Sequence, residues 1–210
     1  MSKLDHKYNV ISKIPDFNIS GDSGNAIARV GYKYKNVMEM NLSLSKSYFK
    51  NYDDLIELEK RLMDKNWSMP FADDSASMFS ITHEYGHMLQ NTFIDDVFKN
   101  KGVYAKIKDM EEKVKNYSGN DFVKVFKTYN RNLKKIVDTE YNNVTRTIAN
   151  EIIEIAKNKN PNFDLMKNIS DYGKTDSAEM FAETFANAHC GASNELGDAM
   201  MEWLKKRGFE

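Results

Sequence analysis

Apolar and polar residues alternate with a period of two between residues 38 and 45. Four apolar side chains would share one face of an extended chain: Met38, Met40, Leu42 and Leu44. This alternation predicts a strand with one buried and one exposed face. Strand-like residues begin near position 9, with a loop expected at 21–25 and a hairpin turn at Lys35 and Asn36. The amino-terminal region therefore predicts a small antiparallel sheet.

After residue 52 the apolar residues follow helical spacing. Helices are predicted at 53–65 with Asp53 as N-cap, from Ser75 or Ser77 through position 89, at 177–190 and at 193–206. Residues 67–74, which include Pro70, are expected to form a loop.

The stretch 95–160 is helical in pattern and rich in lysine, with a break at 117–120. We interpret it as a helical insertion within one domain that spans residues 1–210. The sequence as a whole therefore predicts an α+β fold, with a small antiparallel sheet and a predominantly helical remainder.

Residues 83–87 read HEYGH. On a helix, His83 and His87 lie on one face with Cβ atoms roughly 5–6 Å apart, so both imidazoles can reach one Zn²⁺ ion. Glu84 would lie beside the metal, where its carboxylate can accept a proton from a metal-bound water. The plain alternative is a helix whose two histidines are satisfied by hydrogen bonds and whose glutamate faces solvent.

Gly86 costs about 1 kcal/mol relative to alanine in a helix, which predicts close approach of another backbone.

A catalytic zinc site needs a third protein ligand. The metzincin pattern is excluded because Gln90 and Phe93 occupy the positions that it requires. Helical segments offer Glu151, Glu154 or Glu179 instead. Glu179 is the strongest candidate, because small and aromatic residues surround it and an acid on so apolar a helix needs a partner.

Glu183 lies one turn after Glu179 and could accept the other ring N–H of a ligating histidine, which would fix its tautomer. A different interpretation remains open. Asp176 and Glu179 have the spacing of a capping box, in which Glu179 would reach back to the backbone of Asp176.

The segment SDYGKTDSAEMFAETFAN, together with HEYGH, resembles the zinc peptidases related to the catalytic domain of anthrax lethal factor. That group includes metallopeptidase-like domains of phage minor head proteins and, more distantly, the secreted Pro-Pro endopeptidases. The resemblance implies a zincin-like fold, with Glu179 as zinc ligand and Tyr172 as a donor to the oxyanion of the scissile carbonyl. The stretch between His87 and Tyr172 is longer here than in those relatives, which leaves substrate access open.

Charge and hydropathy narrow the classes of partner. Thirty basic and 31 acidic residues give a net charge of −1, and they alternate along the chain, so nucleic acid is not an expected partner. No apolar run is long enough to span a membrane, and no signal sequence is apparent. Cys190 is the single cysteine and forms no internal disulfide. We expect a cytoplasmic or virion-associated protein.

The leading hypothesis is a zinc-dependent endopeptidase, phage-associated or toxin-like, that acts on a protein or peptide. Peptidases of this architecture hold substrate along a sheet edge, and residues 38–45, with Met40, Leu42 and Leu44, are the best candidate for that edge. Ordinary sheet packing is the alternative for this strand. Two other classes remain: a phage structural or interaction module that retains a zinc site, and a helical binding protein without metal.

Overall fold

A computed structural model describes residues 2–13, 16–21, 26–34 and 38–209. The helices are α1 (Ser2–Tyr8), α2 (Lys46–Lys50), α3 (Tyr52–Asp64), α4 (Phe79–Asn100), α5 (Val103–Lys115), α6 (Gly119–Lys159), α7 (Leu165–Asn168), α8 (Ser177–His189) and α9 (Glu195–Lys205). The strands are β1 (Asp16–Ser20), β2 (Ala28–Tyr34) and β3 (Met38–Leu44). The α+β class is confirmed, with a small amino-terminal sheet and a mostly helical remainder.

The three described strands are ordered β1-β3-β2. Strands β2 and β3 pair antiparallel with Val30 opposite Leu42, as the hairpin pattern predicts. Strand β1 pairs with β3 in parallel, with Ile19 opposite Leu42, so the sheet is mixed. The predicted turn at Lys35 and Asn36 lies outside the described residues, as do residues 22–25 of the predicted loop.

The prediction that residues 38–45 form the sheet edge is wrong. Strand β3 has a neighbour on each side, and Met40 and Leu42 are buried while Leu44 is partly exposed. Alternation of apolar and polar residues reports which face of a strand is buried, but it carries no information about how many strands flank it. Within the described ranges, the edges of the sheet are β1 and β2.

Two helix starts differ from those predicted. The N-cap of α3 is Asn51, whose side chain accepts a hydrogen bond from the backbone N–H of Asp53, so the prediction of Asp53 as N-cap is wrong. Asn and Asp have similar N-cap preferences, which makes adjacent candidates hard to separate from sequence. Helix α4 begins at Phe79, after a 3₁₀ segment at Asp73–Met78.

Helix α4 packs mainly against α8, and their contact is close because Gly86 has no side chain. A Cβ atom at Gly86 would lie 3.1 Å from the Cα atom of Ala182 and 3.2 Å from the Cβ atom of Phe185. This is the backbone approach that a glycine inside a helix predicts. The aromatic rings of Tyr85 and Phe185 are fully buried beside it.

Residues 95–160 do not separate cleanly from the core. Helix α4 continues to Asn100, and α6 is a single helix of 41 residues whose second half contributes Val144, Ile148 and Ile152 to the main core. The first half of α6 packs against α5 and leaves Phe122 and Phe126 exposed. Helix α5 contributes Val103 and Ile107 to the same core, so the part that lies apart from it is the start of α6, around Phe122 and Phe126.

The packing predicts that Gly86→Ala destabilises the protein by about 1–2 kcal/mol, because overpacking against backbone outweighs the gain of about 1 kcal/mol in helix propensity. Urea denaturation measures the change in the free energy of unfolding. The matched control is Asp96→Ala, at an exposed position of the same helix, which should have little effect. An increase in stability for Gly86→Ala would contradict the close contact.

Candidate metal centre

Three side chains from α4 and α8 converge on one point. The Nε2 atoms of His83 and His87 lie 3.1 Å apart, and each lies 3.1 Å from Oε2 of Glu179. Among the described residues, these three form the one group whose ligand atoms are close enough together to hold a metal ion. The two histidines come from successive turns of α4, and the glutamate lies in the first turn of α8.

The spacing of the three atoms suits a small divalent cation. A tetrahedral zinc ion with bonds of about 2.0–2.1 Å holds its ligands roughly 3.3 Å apart. The observed triangle is only slightly smaller, and two imidazole nitrogens with one carboxylate oxygen are donors that zinc accepts. Three electron-rich atoms this close repel one another unless a proton or a metal ion lies between them. The arrangement is therefore a candidate metal site.

The electrostatics of the site favour positive charge at this point. Burial disfavours a charge on His83, but hydrogen bonds and charges of Glu179 and Glu183 outweigh it and raise the pKa of His83 well above its ordinary value. Burial likewise opposes ionisation of Glu179, yet His83 and His87 hold its pKa well below the usual range. Without a metal, the neighbouring carboxylates favour a proton on the His83 imidazole, and a divalent cation would replace that proton.

The carboxylate of Glu183 connects His83 to two loops. Its Oε1 lies 3.0 Å from Nδ1 of His83, although the ring N–H is not well aligned for a hydrogen bond. Its Oε2 accepts hydrogen bonds from the backbone N–H of Met69, at 2.7 Å, and from the hydroxyl of Ser170, at 2.8 Å. Glu183 is 2% exposed, so these groups fix both the carboxylate and the imidazole beside it.

Glu84 and Tyr172 lie in the same cleft as His83. One carboxylate oxygen of Glu84, Oε2, accepts a hydrogen bond of 2.6 Å from the backbone N–H of Val30 in β2. The ring of Tyr172 stacks on that of His83, with centroids 5.7 Å apart. Burial and the neighbouring carboxylate charges raise the pKa of Tyr172, so its hydroxyl keeps its proton and remains a donor.

The other acids considered as third ligand lie elsewhere. Glu151 accepts hydrogen bonds from Trp203 and Arg207, and Glu154 pairs with Lys157 at 3.0 Å. Only one of the two hydrogen-bonding parts of the predicted capping box is present. Asp176 caps α8 by accepting from the backbone N–H groups of Ala178 and Glu179, whereas the Glu179 side chain turns towards the histidines.

Sequence patterns did not point to the residues that surround this centre. Val30, Trp67, Ser68 and Glu59 come from β2, α3 and the loop before α4, and they line or contact the cleft. Glu59 belongs to an amphipathic helix, in which an acidic residue ordinarily faces solvent, so no sequence pattern indicated its place at the cleft. Only the fold brings these residues beside HEYGH.

A larger cavity of about 390 Å³ lies between α4, α6 and α9, away from the histidines. Its charged residues Glu151 and Arg207 already have partners. Glu151 accepts hydrogen bonds from Trp203 and Arg207, and the Arg207 guanidinium lies 3.7 Å from the centroid of the Trp203 ring. The chemistry-bearing side chains are therefore gathered in the smaller cleft.

Comparison of the chain with models of protein families, with curated proteins and with solved structures found no match. None of the helices in the described ranges has both the length and the hydropathy that a bilayer span requires. The case for a function therefore depends on the geometry of the site.

We expect wild-type protein to bind zinc near 1:1 and Glu179→Ala to weaken binding by more than roughly 100-fold, because loss of a direct ligand should exceed the 10- to 100-fold effect of an outer partner. Titration against a competing zinc indicator measures the affinity. Glu154→Ala is the control, since this glutamate contacts Lys157 on the surface. Retention of zinc by Glu179→Ala would refute the ligand set.

Proposed function

We propose that this protein is a zinc-dependent endopeptidase. The observation that carries the proposal is the convergence of three metal donors, one of which, His83, lines a cleft together with Glu84 and Tyr172. A zinc site that serves only to stabilise a fold is usually closed by four protein ligands and needs neither a general base nor a phenol. Two histidines and a glutamate leave a fourth position for a water or a substrate atom.

A zinc ion bound by His83, His87 and Glu179 would supply Lewis-acid activation of a water molecule and polarise the scissile carbonyl. Glu84 would accept a proton from the attacking water on its carboxylate and deliver that proton to the leaving amine. Tyr172 would donate its hydroxyl hydrogen bond to the developing oxyanion. Its ring stacks on that of His83, which keeps the phenol next to the metal donors, where that oxygen would form.

The peptide backbone would run along β2. Among the described strands β2 has one strand neighbour, β3, and its other side faces α4. The backbone N–H of Val30 points from this side towards Glu84. An extended peptide can pair with such an edge through main-chain hydrogen bonds, which would place it across the metal donors. In this proposal β2 takes the role that the sequence pattern gave to β3.

We also propose membership in the lethal-factor-like group of zinc peptidases, on the spacing of HEYGH, Tyr172, Glu179 and Glu183. A role as a phage-associated or toxin-like effector protease, cytoplasmic or virion-associated, stays a prediction. So does the absence of nucleic-acid and membrane partners. The competing view is a phage structural module that retains zinc and cleaves nothing.

Glu84→Gln should abolish cleavage of a peptide library and leave zinc content and melting temperature nearly unchanged. The amide cannot accept the proton from water, but it preserves the size of the side chain. Mass spectrometry of the library products measures cleavage, and metal analysis of the same samples measures zinc. If wild-type protein binds zinc but releases no more products than Glu84→Gln, the structural module becomes the better description.

Tyr172→Phe should lower kcat by about 100- to 1000-fold with little change in KM, because the lost hydrogen bond matters mainly in the transition state. Tyr129→Phe is the matched control, since that hydroxyl donates to Glu111 far from the centre. Steady-state kinetics on one identified peptide compare the two variants. Equal activity of Tyr172→Phe and wild type would remove Tyr172 from the mechanism.

A further inference from the structure

The cleft that contains His83, Glu84 and Tyr172 is a pocket of about 170 Å³, and part of its wall is not used by the proposed chemistry. It adjoins Glu84 and Tyr172, and Leu62, Trp67 and Phe79 contribute apolar surface to its wall. Because it opens next to the groups proposed to act on a peptide bond, a side chain adjacent to that bond would enter it. The lining of the pocket therefore bears on which peptides are cleaved.

Glu59 brings a buried carboxyl group to this pocket. Its side chain is 1% exposed, and Oε1 accepts hydrogen bonds from the backbone N–H of Ser80, at 3.2 Å, and from the Ser80 hydroxyl. Burial raises the pKa of Glu59 to about 7 despite those hydrogen bonds, and the charge of Glu183 adds to the rise. A buried carboxylate is costly without a positive partner.

Ser68 supplies a second polar group that lacks a partner. Its side chain is 5% exposed, it lines the same pocket, and its hydroxyl makes no hydrogen bond with the part of the chain that the structure describes. Buried hydroxyls are nearly always hydrogen-bonded, so an unpaired one in a pocket indicates a group that a ligand can satisfy.

The charges at the pocket are predominantly acidic. Glu59, Glu84 and Glu183 all line it, and the described lining residues include no lysine or arginine. Glu84 and Glu183 already have roles beside the metal, whereas Glu59 has none. The nearby cation Lys60 is engaged with Asp73 at 2.8 Å. Among the described residues, the positive charge that acts on Glu59 comes from His83, which belongs to the candidate metal centre, and no lysine or arginine of the lining pairs with Glu59.

We propose that this pocket binds the side chain of a lysine or arginine in the peptide substrate. The methylene groups would pack against Leu62, Trp67 and Phe79, and the cationic end would pair with Glu59 and donate to the Ser68 hydroxyl. The assignment rests on the proposed peptidase function and names its substrate class: peptides with a basic residue at one fixed position next to the cleaved bond.

Glu59 also contacts the first turn of α4 through Ser80, so a purely structural role has to be distinguished. A cap alone needs neither a pocket nor an unpaired hydroxyl beside it. Loss of a cap would lower thermal stability and reduce cleavage of all peptides equally. Loss of a specificity group would change the ratio of cleavage rates between basic and neutral peptides.

The test begins with cleavage-site profiling of the zinc-loaded, full-length wild-type protein on a diverse peptide library. Lysine or arginine should be enriched at a single position. For a peptide pair that differs only by lysine or norleucine there, Glu59→Gln should reduce the ratio of kcat/KM values by about 10- to 100-fold, the factor expected for a hydrogen bond to a charged group. Ser68→Ala should reduce it less.

Glu57→Gln is the matched control, because Glu57 lies on the exposed face of the same helix, and it should leave the ratio unchanged. A cleaved library without basic enrichment, or an unchanged ratio for both Glu59→Gln and Ser68→Ala, would overturn the assignment while leaving the peptidase function in place. Equal cleavage by wild type and Glu84→Gln would overturn the function itself, and the assignment with it.

Discussion

The close contact between α4 and α8 is the constraint on which the candidate centre depends. Gly86 and Ala182 allow the two helices to approach until the Glu179 carboxylate lies 3.1 Å from both histidines. Two of the donors belong to one helix and the third to another, nearly one hundred residues later. Any side chain that separated the helices by a few tenths of an ångström would enlarge the donor triangle as well as disturb the core.

The polar groups around the donors are held in place by the rest of the fold. Glu183 accepts hydrogen bonds from a backbone N–H and a hydroxyl and lies 3.0 Å from Nδ1 of His83, so its orientation does not depend on a metal. This is the kind of preorganisation that catalytic centres use, because no energy is then spent on reorienting donors during the reaction. The same network connects the centre to the loops at Met69 and Ser170, which links the geometry of the ligands to the order of those loops.

Local patterns predicted much of this structure. Helical spacing indicated α4 and α8, the glycine inside HEYGH indicated their contact, and alternation indicated β3. Features that depend on distant parts of the chain were not accessible in this way. Whether β3 was central or at an edge depended on β1, and Glu59 became a pocket residue only because the fold places its carboxyl against Ser80 at the start of α4. The position of an acidic residue on an amphipathic helix does not show whether the folded protein places a cavity against it.

The stacked rings of Trp67, Tyr172 and His83 have an optical consequence. Centroids of Trp67 and Tyr172 lie 5.4 Å apart, and those of Tyr172 and His83 lie 5.7 Å apart, so an indole at the surface is the outer ring of a stack that ends on an imidazole of the candidate metal centre. The second tryptophan, Trp203, is buried against Arg207 in another part of the core. We therefore expect events at the centre to change the emission of Trp67 more than that of Trp203.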